Sequence, residues 1–121
     1  MPIVLLVEDD PQVRGFVADA LAERGLDVRA VDGDRAAQRI LEKEATQIGV
    51  LVADVNLGSS ANGFDVAQRA RRLNPRIEVV YITGDPLNVS RFGVSGGVLM
   101  PKPFDVANLA DVVEALAKDP A

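Results

Sequence analysis

The stretch IVLLVEDD, from Ile3 to Asp10, places a run of aliphatic residues directly before three carboxylic acids. An uninterrupted run of Val, Ile and Leu is typical of a strand that is buried on both faces of a parallel sheet. The acids mark the end of that strand, and Asp10 before Pro11 is typical of a helix N-cap followed by the first helical turn. The stretch therefore predicts a central strand, an acidic strand end and a helix that begins at once.

The same order of a buried run and an amphipathic pattern recurs along the chain. Further apolar runs cover 26–31, 48–53, 77–82 and 98–100, with helical patterns between them and after the last. The segment 87–92 predicts only a short helix, because Asn, Val and Ser are mediocre helix formers. This alternation predicts an α/β fold, with a doubly wound five-stranded parallel sheet of the (βα)5 type, in a single domain over 1–121.

The first helical pattern has two faces of different character. Its apolar stripe, which we expect to face the core, consists of Val13, Phe16, Val17, Ala20 and Leu21. The opposite face carries small residues where charges are usual, namely Pro11, Gly15, Ala18 and Ala22. We interpret this smooth face as a docking surface for the helices of a partner protein. Drift to small residues without any partner is the alternative.

The composition excludes several classes of function. The chain of 121 residues has no cysteine and no histidine, which excludes disulfides, thiolate nucleophiles, zinc-finger sites and Ser-His-Asp triads. Its net charge of -5 disfavours binding to nucleic acid or to an anionic membrane, so we expect neither as a partner. The sequence has no apolar stretch that could span a bilayer and no basic segment before the first strand, so we expect a cytoplasmic protein.

Polar residues follow four of the predicted strands at the ends where parallel sheets bind ligands. They are Glu8 and Asp9 after the first strand, Asp54 after the third, Thr83 after the fourth and Lys102 after the fifth. Neighbouring carboxylates raise one another's cost of ionisation unless a cation lies among them. Carboxylate oxygens without histidine or cysteine favour Mg²⁺, with Mn²⁺ as the alternative. The sequence therefore predicts a divalent metal site.

The lysine and the threonine hydroxyl complete a second part of this site. With the metal, Lys102 and Thr83 would surround three anionic oxygens, which is most of what phosphoryl transfer requires. The oxygen nucleophile that remains to be assigned is Asp54, which would form an acyl phosphate.

Four motifs resemble those of the receiver domain of two-component response regulators. They are Val7-Glu8-Asp9-Asp10, the isolated Asp54, Ile82-Thr83-Gly84 and Lys102-Pro103-Phe104. The resemblance covers essentially the whole chain and implies a flavodoxin-like fold with strand order 2-1-3-4-5. It implies a phosphoacceptor signalling protein of a phosphorelay, which is not a classical enzyme but catalyses its own Mg²⁺-dependent aspartyl phosphorylation and dephosphorylation.

The resemblance also implies a role for individual residues. Asp54 matches the phosphoacceptor, and Glu8 and Asp9 match the acidic pair, of which Asp9 is the closer metal ligand and Glu8 acts through water. Asn56 matches the position whose backbone carbonyl binds Mg²⁺. Thr83 matches the hydroxyl that turns toward the phosphoryl group, and the lysine that pairs with that group is matched by Lys102.

Further positions are matched around this site. Pro103 matches a position whose preceding peptide bond is usually cis. Gly84 is the small neighbour that keeps the site open, and Asp85 resembles a tuner of acyl-phosphate hydrolysis, as does Asn56. In the family, the first helix and the loop that contains Phe104 dock on a histidine kinase or a histidine phosphotransfer protein. We expect such a partner, an unknown downstream protein, and a monomer or weak dimer.

Two departures from the family pattern keep other functions open. Leu99 stands where an aromatic residue often accompanies the threonine, and the loop 58–63 after the acceptor is rich in glycine and serine. A receiver-like binding module that signals without phosphate is therefore the main alternative. A metal-dependent phosphatase lacks support because Asn56 replaces the second aspartate, and a flavin carrier lacks support because the first strand ends in acids.

Overall fold

The structure, a computed structural model, describes residues 2–55 and 63–117. The strands are β1 (Ile3–Val7), β2 (Asp27–Val31), β3 (Ile48–Asp54), β4 (Glu78–Thr83) and β5 (Val98–Pro101). The helices are α1 (Pro11–Glu23), α2 (Asp34–Glu44), α3 (Gly63–Leu73), α4 (Pro86–Phe92) and α5 (Val106–Ala117), and a short 3-10 turn, Ala45–Gln47, precedes β3. Asn56 and most of the loop 58–63 lie outside the described residues.

The five strands form one parallel sheet in the order β2-β1-β3-β4-β5. Both the predicted sheet and the strand order implied by the resemblance are confirmed. β1 and β3 lie side by side, with Val7 opposite Ala53, and β3 pairs with β4, with Asp54 opposite Ile82. The polar residues that follow these strands are therefore brought to one edge of the sheet.

Each face of the sheet carries its own core. Leu5 and Val7 of β1 pack in the cluster that includes α2 and α3, whereas Val4 and Leu6 pack in the cluster that includes α1 and α5. Successive side chains of a strand point to opposite faces, so a strand that is covered on both faces needs apolar residues at every position. This is the physical reason for the continuous aliphatic run in β1.

The N-terminus of α1 forms directly at the acidic strand end. The Asp10 carboxylate accepts hydrogen bonds from the backbone N–H groups of Gln12 and Val13, at 2.9 and 3.3 Å. Gly25 follows the helix with a φ of 80°, a conformation that glycine adopts without strain. The predicted cap and exit of this helix are both confirmed.

The predicted stripe of α1 is wrong at one position, because Phe16 is 68% exposed. The helix buries Val17 and Leu21, and Val13 and Ala20 pack partly against the same core. Phe16 precedes Val17 by one residue, which rotates its side chain about 100° from the centre of the buried face. The ring lines an open cleft instead of entering the core.

The small residues of α1 do not all lie on its outer face. Pro11, Gly15 and Ala22 are exposed, as predicted, but Ala18 is half-buried and packs against the core that α1 shares with α5. Ala18 is therefore corrected from an exposed position to a packing position, where its small size lets neighbouring elements approach. No helix in the described segments, 2–55 and 63–117, has the length and hydropathy needed to cross a membrane.

Candidate functional site

Three carboxylates meet beyond the ends of β1 and β3. Glu8 and Asp9 follow β1 directly, and Asp54 is the last residue of β3. One oxygen from each lies within 4.8 Å of the other two. Glu8 is buried, the Asp54 side chain is almost enclosed and Asp9 is exposed, so the cluster opens from the protein interior toward solvent. The predicted juxtaposition of these three residues is present in the structure.

Glu8 is the buried member of this cluster. The pKa of its carboxyl is raised to about 8, mainly by loss of hydration on burial and to a smaller extent by the nearby Asp54 and Asp9 carboxylates. The backbone N–H of Asp10, which donates to Glu8 Oε2 at 3.1 Å, acts in the opposite direction. Without a cation, the site therefore holds a proton on Glu8 near neutral pH.

Lys102 supplies the positive charge of the site. Its ammonium Nζ donates to Asp54 Oδ2 at 3.0 Å and lies 2.9 Å from Oδ1 of the same carboxylate. The backbone N–H of Lys102 donates to the carbonyl of Thr83 at 2.8 Å, which ties the end of β5 to the end of β4. The peptide bond between Lys102 and Pro103 is cis.

Asp54 retains acceptor capacity that its protein neighbours do not use. The Asp54 side chain is only 6% exposed, and its Oδ1 lies 2.9 Å from the Lys102 ammonium but accepts no hydrogen bond of good geometry from the part of the chain that the structure describes. A buried carboxylate oxygen without a donor is costly unless a ligand or a cation satisfies it. Three converging carboxylate oxygens are hard ligands of the kind that Mg²⁺ prefers, so the residues present fit this ion.

Thr83 lies at the same edge of the sheet, but its hydroxyl is hydrogen-bonded to Asp85 and not to Asp54. The side chain is buried, and its Oγ1 accepts from the backbone N–H of Asp85 at 2.8 Å and donates to the Asp85 carbonyl at 3.2 Å. Gly84 is exposed, and a Cβ built there would meet nothing within 4 Å, so the space beside Thr83 is open.

A cleft of about 660 Å³ extends from the carboxylates along α1. Its apolar walls come from Val13 and Phe16 on one side and from Pro103 and Phe104 on the other. Phe104 is half-buried and packs partly against the core that α1 and α5 share. The cleft therefore joins an acidic, lysine-containing end to an apolar end.

Two residues at this edge were missed by reasoning from the sequence. Arg14 donates from Nη1 to the Glu8 carbonyl at 3.0 Å, and its position one helical turn after Asp10 was the available signal. Phe16 was assigned to the core because it is large and apolar. The available signal against this assignment was the angle of about 100° between its side chain and that of Val17 around the helix axis. Asn56 lies outside the described residues, so its predicted place at the metal site is not described.

Comparison with known proteins gives a consistent result. Residues 4–114 match the family model of the response regulator receiver domain. The response regulator receiver protein CpdR of Brucella abortus is 28% identical over 96% of this chain and 97% of its own length. The sensor kinase CckA of the same species is 27% identical over 93% of this chain, and the match spans 12% of that kinase.

A solved structure extends the likeness to three dimensions. The crystal structure of a response regulator receiver protein from Sinorhizobium medicae has a TM-score of 0.86 and 28% identity, over 95% of this chain and 93% of that one. The family model spans nearly all of both cores and all five strands apart from Ile3, and the strand order is that of the flavodoxin-like receiver fold. The chain therefore belongs to the receiver domains of two-component response regulators.

Proposed function

We propose that this receiver domain is a Mg²⁺-dependent phosphoacceptor that takes a phosphoryl group from the phosphohistidine of a partner onto Asp54. The observation that carries the proposal is the environment of Asp54. Its carboxylate is almost enclosed and contacts the Lys102 ammonium, and one of its oxygens, which accepts no hydrogen bond of good geometry from the described residues, lies beside two further carboxylates. This combination suits a reacting oxygen better than a structural ion pair.

The metal would be held by Glu8, Asp9 and Asp54, and the backbone carbonyl of Asn56 is proposed as a further ligand. When bound, Mg²⁺ would neutralise the carboxylates and the phosphoryl oxygens. Glu8 must lose its proton as the site is loaded, because its pKa of about 8 keeps it protonated near neutral pH. Asp9, the exposed member, leaves the solvent side of the site accessible.

The transfer itself requires little covalent chemistry from the protein. An Asp54 oxygen attacks the phosphorus, the bond between phosphorus and the histidine nitrogen breaks, and an acyl phosphate forms on Asp54. Lys102, already 3.0 Å from Asp54 Oδ2, would stabilise negative charge on the transferred group. Thr83 would donate to a phosphoryl oxygen after its hydroxyl leaves Asp85.

A direct test uses the purified domain, Mg²⁺ and a small acyl-phosphate donor, with intact mass as the readout. We expect a mass increase of one phosphoryl group on the wild type and none on Asp54→Asn. Asp19→Asn is a matched control, because it removes an exposed carboxylate of α1 that lies outside the metal cluster. An unchanged adduct on Asp54→Asn would contradict the assignment. Absence of any adduct on the wild type would favour the binding-module alternative, which Leu99 keeps open.

The apolar end of the cleft is the proposed docking surface for a histidine kinase or a histidine phosphotransfer protein. Phe16, at 68% exposure, and the half-buried Phe104 line the same cleft as Asp54, and the exposed Pro11, Gly15 and Ala22 add a smooth helix surface. A large exposed aromatic residue is typical of an interface anchor. The match to part of a sensor kinase supports a partner of this class.

Replacing Phe16 with aspartate tests this docking surface. We expect transfer from a phosphorylated histidine phosphotransfer domain to slow by about tenfold or more, because a charge would replace an apolar anchor. Phosphorylation by the small acyl-phosphate donor should not change. Asp19→Asn, a charge change elsewhere on α1, is the control. Equal loss with both donors would contradict the docking assignment.

A further inference from the structure

α4 depends on its attachments more than the other helices do. It has seven residues, PLNVSRF, with no residue of strong helix propensity at its centre. An isolated helix of this length does not form in water, because nucleation is costly and few hydrogen bonds repay it. Its position is therefore set by contacts with the rest of the fold, namely the packing of Val89 on the core and the attachments at its two ends.

The front end of α4 is attached to Thr83. Asp85 precedes the helix, and its carboxylate accepts from the backbone N–H of Leu87 at 3.2 Å. The Thr83 hydroxyl holds the main chain of this same Asp85 through two hydrogen bonds, at 2.8 and 3.2 Å. A single hydroxyl thus fixes the cap residue of α4.

The rear end of α4 is attached to Tyr81. The phenol oxygen of this fully buried residue accepts from the backbone N–H of Val94 at 2.8 Å, just beyond the helix. Its ring lies so close to Gly93 and Gly97 that a Cβ there would be 3.1 and 2.7 Å from Cε2. The two glycines therefore admit the ring.

Further contacts strengthen the rear end alone. Phe64 of α3 packs on Tyr81 and on Phe92, with ring centroids 5.4 and 5.8 Å apart. Gln68 and Arg71, also from α3, donate to the carbonyls of Phe92 and Ser95 at 3.4 and 2.8 Å. The rear end is held by the sheet and by a neighbouring helix, whereas the described contacts of the front end run through Thr83.

Tyr81 and Thr83 are two residues apart on β4, so their side chains lie on the same face of the sheet. We propose that Tyr81 is the fixed point of α4, and that occupation of the phosphoryl site frees only the end held by Thr83, so that α4 turns about the bond between Tyr81 and Val94. The inference rests on the proposed function, because Thr83 is released when its hydroxyl bonds a phosphoryl oxygen.

The Thr83 hydroxyl cannot hold Asp85 and a phosphoryl oxygen at the same time. Thr83 has one O–H donor, which now points to the Asp85 carbonyl. Donation to a phosphoryl oxygen ends that bond, and the rotation of the side chain that carries Oγ1 toward the phosphoryl group also ends the bond that Oγ1 accepts from the Asp85 N–H, so the cap of α4 is freed. The movement would carry Leu87, which is 76% exposed near the front end, while Phe92 stays packed.

Amide hydrogen exchange measured by NMR tests the proposal on the full chain with Mg²⁺ and beryllium trifluoride, a phosphoryl mimic. On addition of the mimic, we expect exchange at Asp85 and Leu87 to accelerate by about tenfold or more, and exchange at Val94 to change by less than about twofold. Equal acceleration at all three amides would overturn the proposal, because α4 would then be released as a whole.

Two variants examine the attachments without any ligand. In the absence of the mimic, Tyr81→Phe, which removes only the phenol oxygen, should accelerate exchange at Val94 and leave Asp85 protected. The variant should still bind the mimic when it is added. Thr83→Val removes the hydroxyl and should accelerate exchange at Asp85, while Val94 stays protected. If Tyr81→Phe left Val94 protected, the anchor would be refuted whatever the mimic does.

The two hypotheses fail in different ways. If the resonances of Asp54 and Lys102 do not respond to the mimic, the proposed function fails, and the release step fails with it. If they respond and Asp85 keeps its protection, only the α4 inference is overturned. Tyr81 is the only tyrosine and the chain has no tryptophan, so tyrosine fluorescence offers a second readout for which Tyr81→Phe is the blank.

Discussion

Replacing Glu8 with glutamine is expected to remove most of the pH dependence of Mg²⁺ binding. Burial raises the pKa of Glu8 to about 8 in the metal-free protein, and a magnesium ligand must be ionised. At pH 7, about one Glu8 carboxyl in eleven is then ionised, and at pH 6 about one in a hundred. The apparent affinity of the wild type should therefore rise about tenfold from pH 6 to pH 7 and level off above pH 8.

Isothermal titration calorimetry at several pH values measures this dependence directly. Titrations at pH 7 in buffers of different ionisation enthalpy should also show release of about one proton per bound ion. Glu8→Gln should bind more weakly at high pH but with a nearly flat pH profile and little proton release. Asp9→Asn is the matched control, since it weakens binding but leaves Glu8 and most of the slope in place.

The same shift has a consequence for stability without metal. The folded pKa of Glu8 lies above its unfolded value of 4.5, so the stability it contributes is fully present below that value. This stability is lost as the pH rises through about 8. Thermal unfolding in a chelator should show this loss of stability in the wild type and less of it in Glu8→Gln.

For the titrations, a Mg²⁺ affinity of the wild type that does not change with pH would refute the reasoning. An unchanged pH dependence of the affinity in Glu8→Gln would refute it as well.

Two further predictions concern packing and charge at the site. Gly63→Ala should lower the free energy of unfolding by about 1–3 kcal/mol, because its Cβ would lie 2.7 Å from a side-chain methyl just after β3. Gly15→Ala, where a Cβ meets open space, should raise it by about 0.5–1 kcal/mol, and urea denaturation compares the two. Lys102→Gln should slow phosphorylation of Asp54 by about a hundredfold or more in a mass-spectrometric time course, because the ammonium 3.0 Å away is lost. Equal effects of the two alanines, or a wild-type rate for Lys102→Gln, would contradict these arguments.

Much of the site follows from strand ends. The aliphatic run before Glu8 and the isolated Asp54 after another such run predict two buried parallel strands, and such strands end at the same edge of a sheet. Because that rule depends on topology and not on side-chain detail, the convergence of the carboxylates with Lys102 could be anticipated. The metal ligands and the phosphoacceptor role remain proposals.

The sequence does not show which of several chemically similar groups a side chain will contact in the folded protein. Phe16 and Val17 are both apolar residues of one helix. Helix periodicity separates their side chains by about 100°, and the packing of α1 on the core that it shares with α5 decides that Val17 is the one covered. The Thr83 hydroxyl could equally bond Asp54 or its own turn, and it bonds Asp85.

The amino-acid sequence alone determined the order of strands and helices, the acidic strand ends and the cap of α1, because these depend on local periodicity and on short-range hydrogen bonds. The tertiary structure decided the exposure of Phe16, the proton on Glu8 and the attachment of α4 to Tyr81. These features depend on groups that are distant along the chain, such as Tyr81 and Val94, whose separation becomes a hydrogen bond only when the sheet and its helices are assembled.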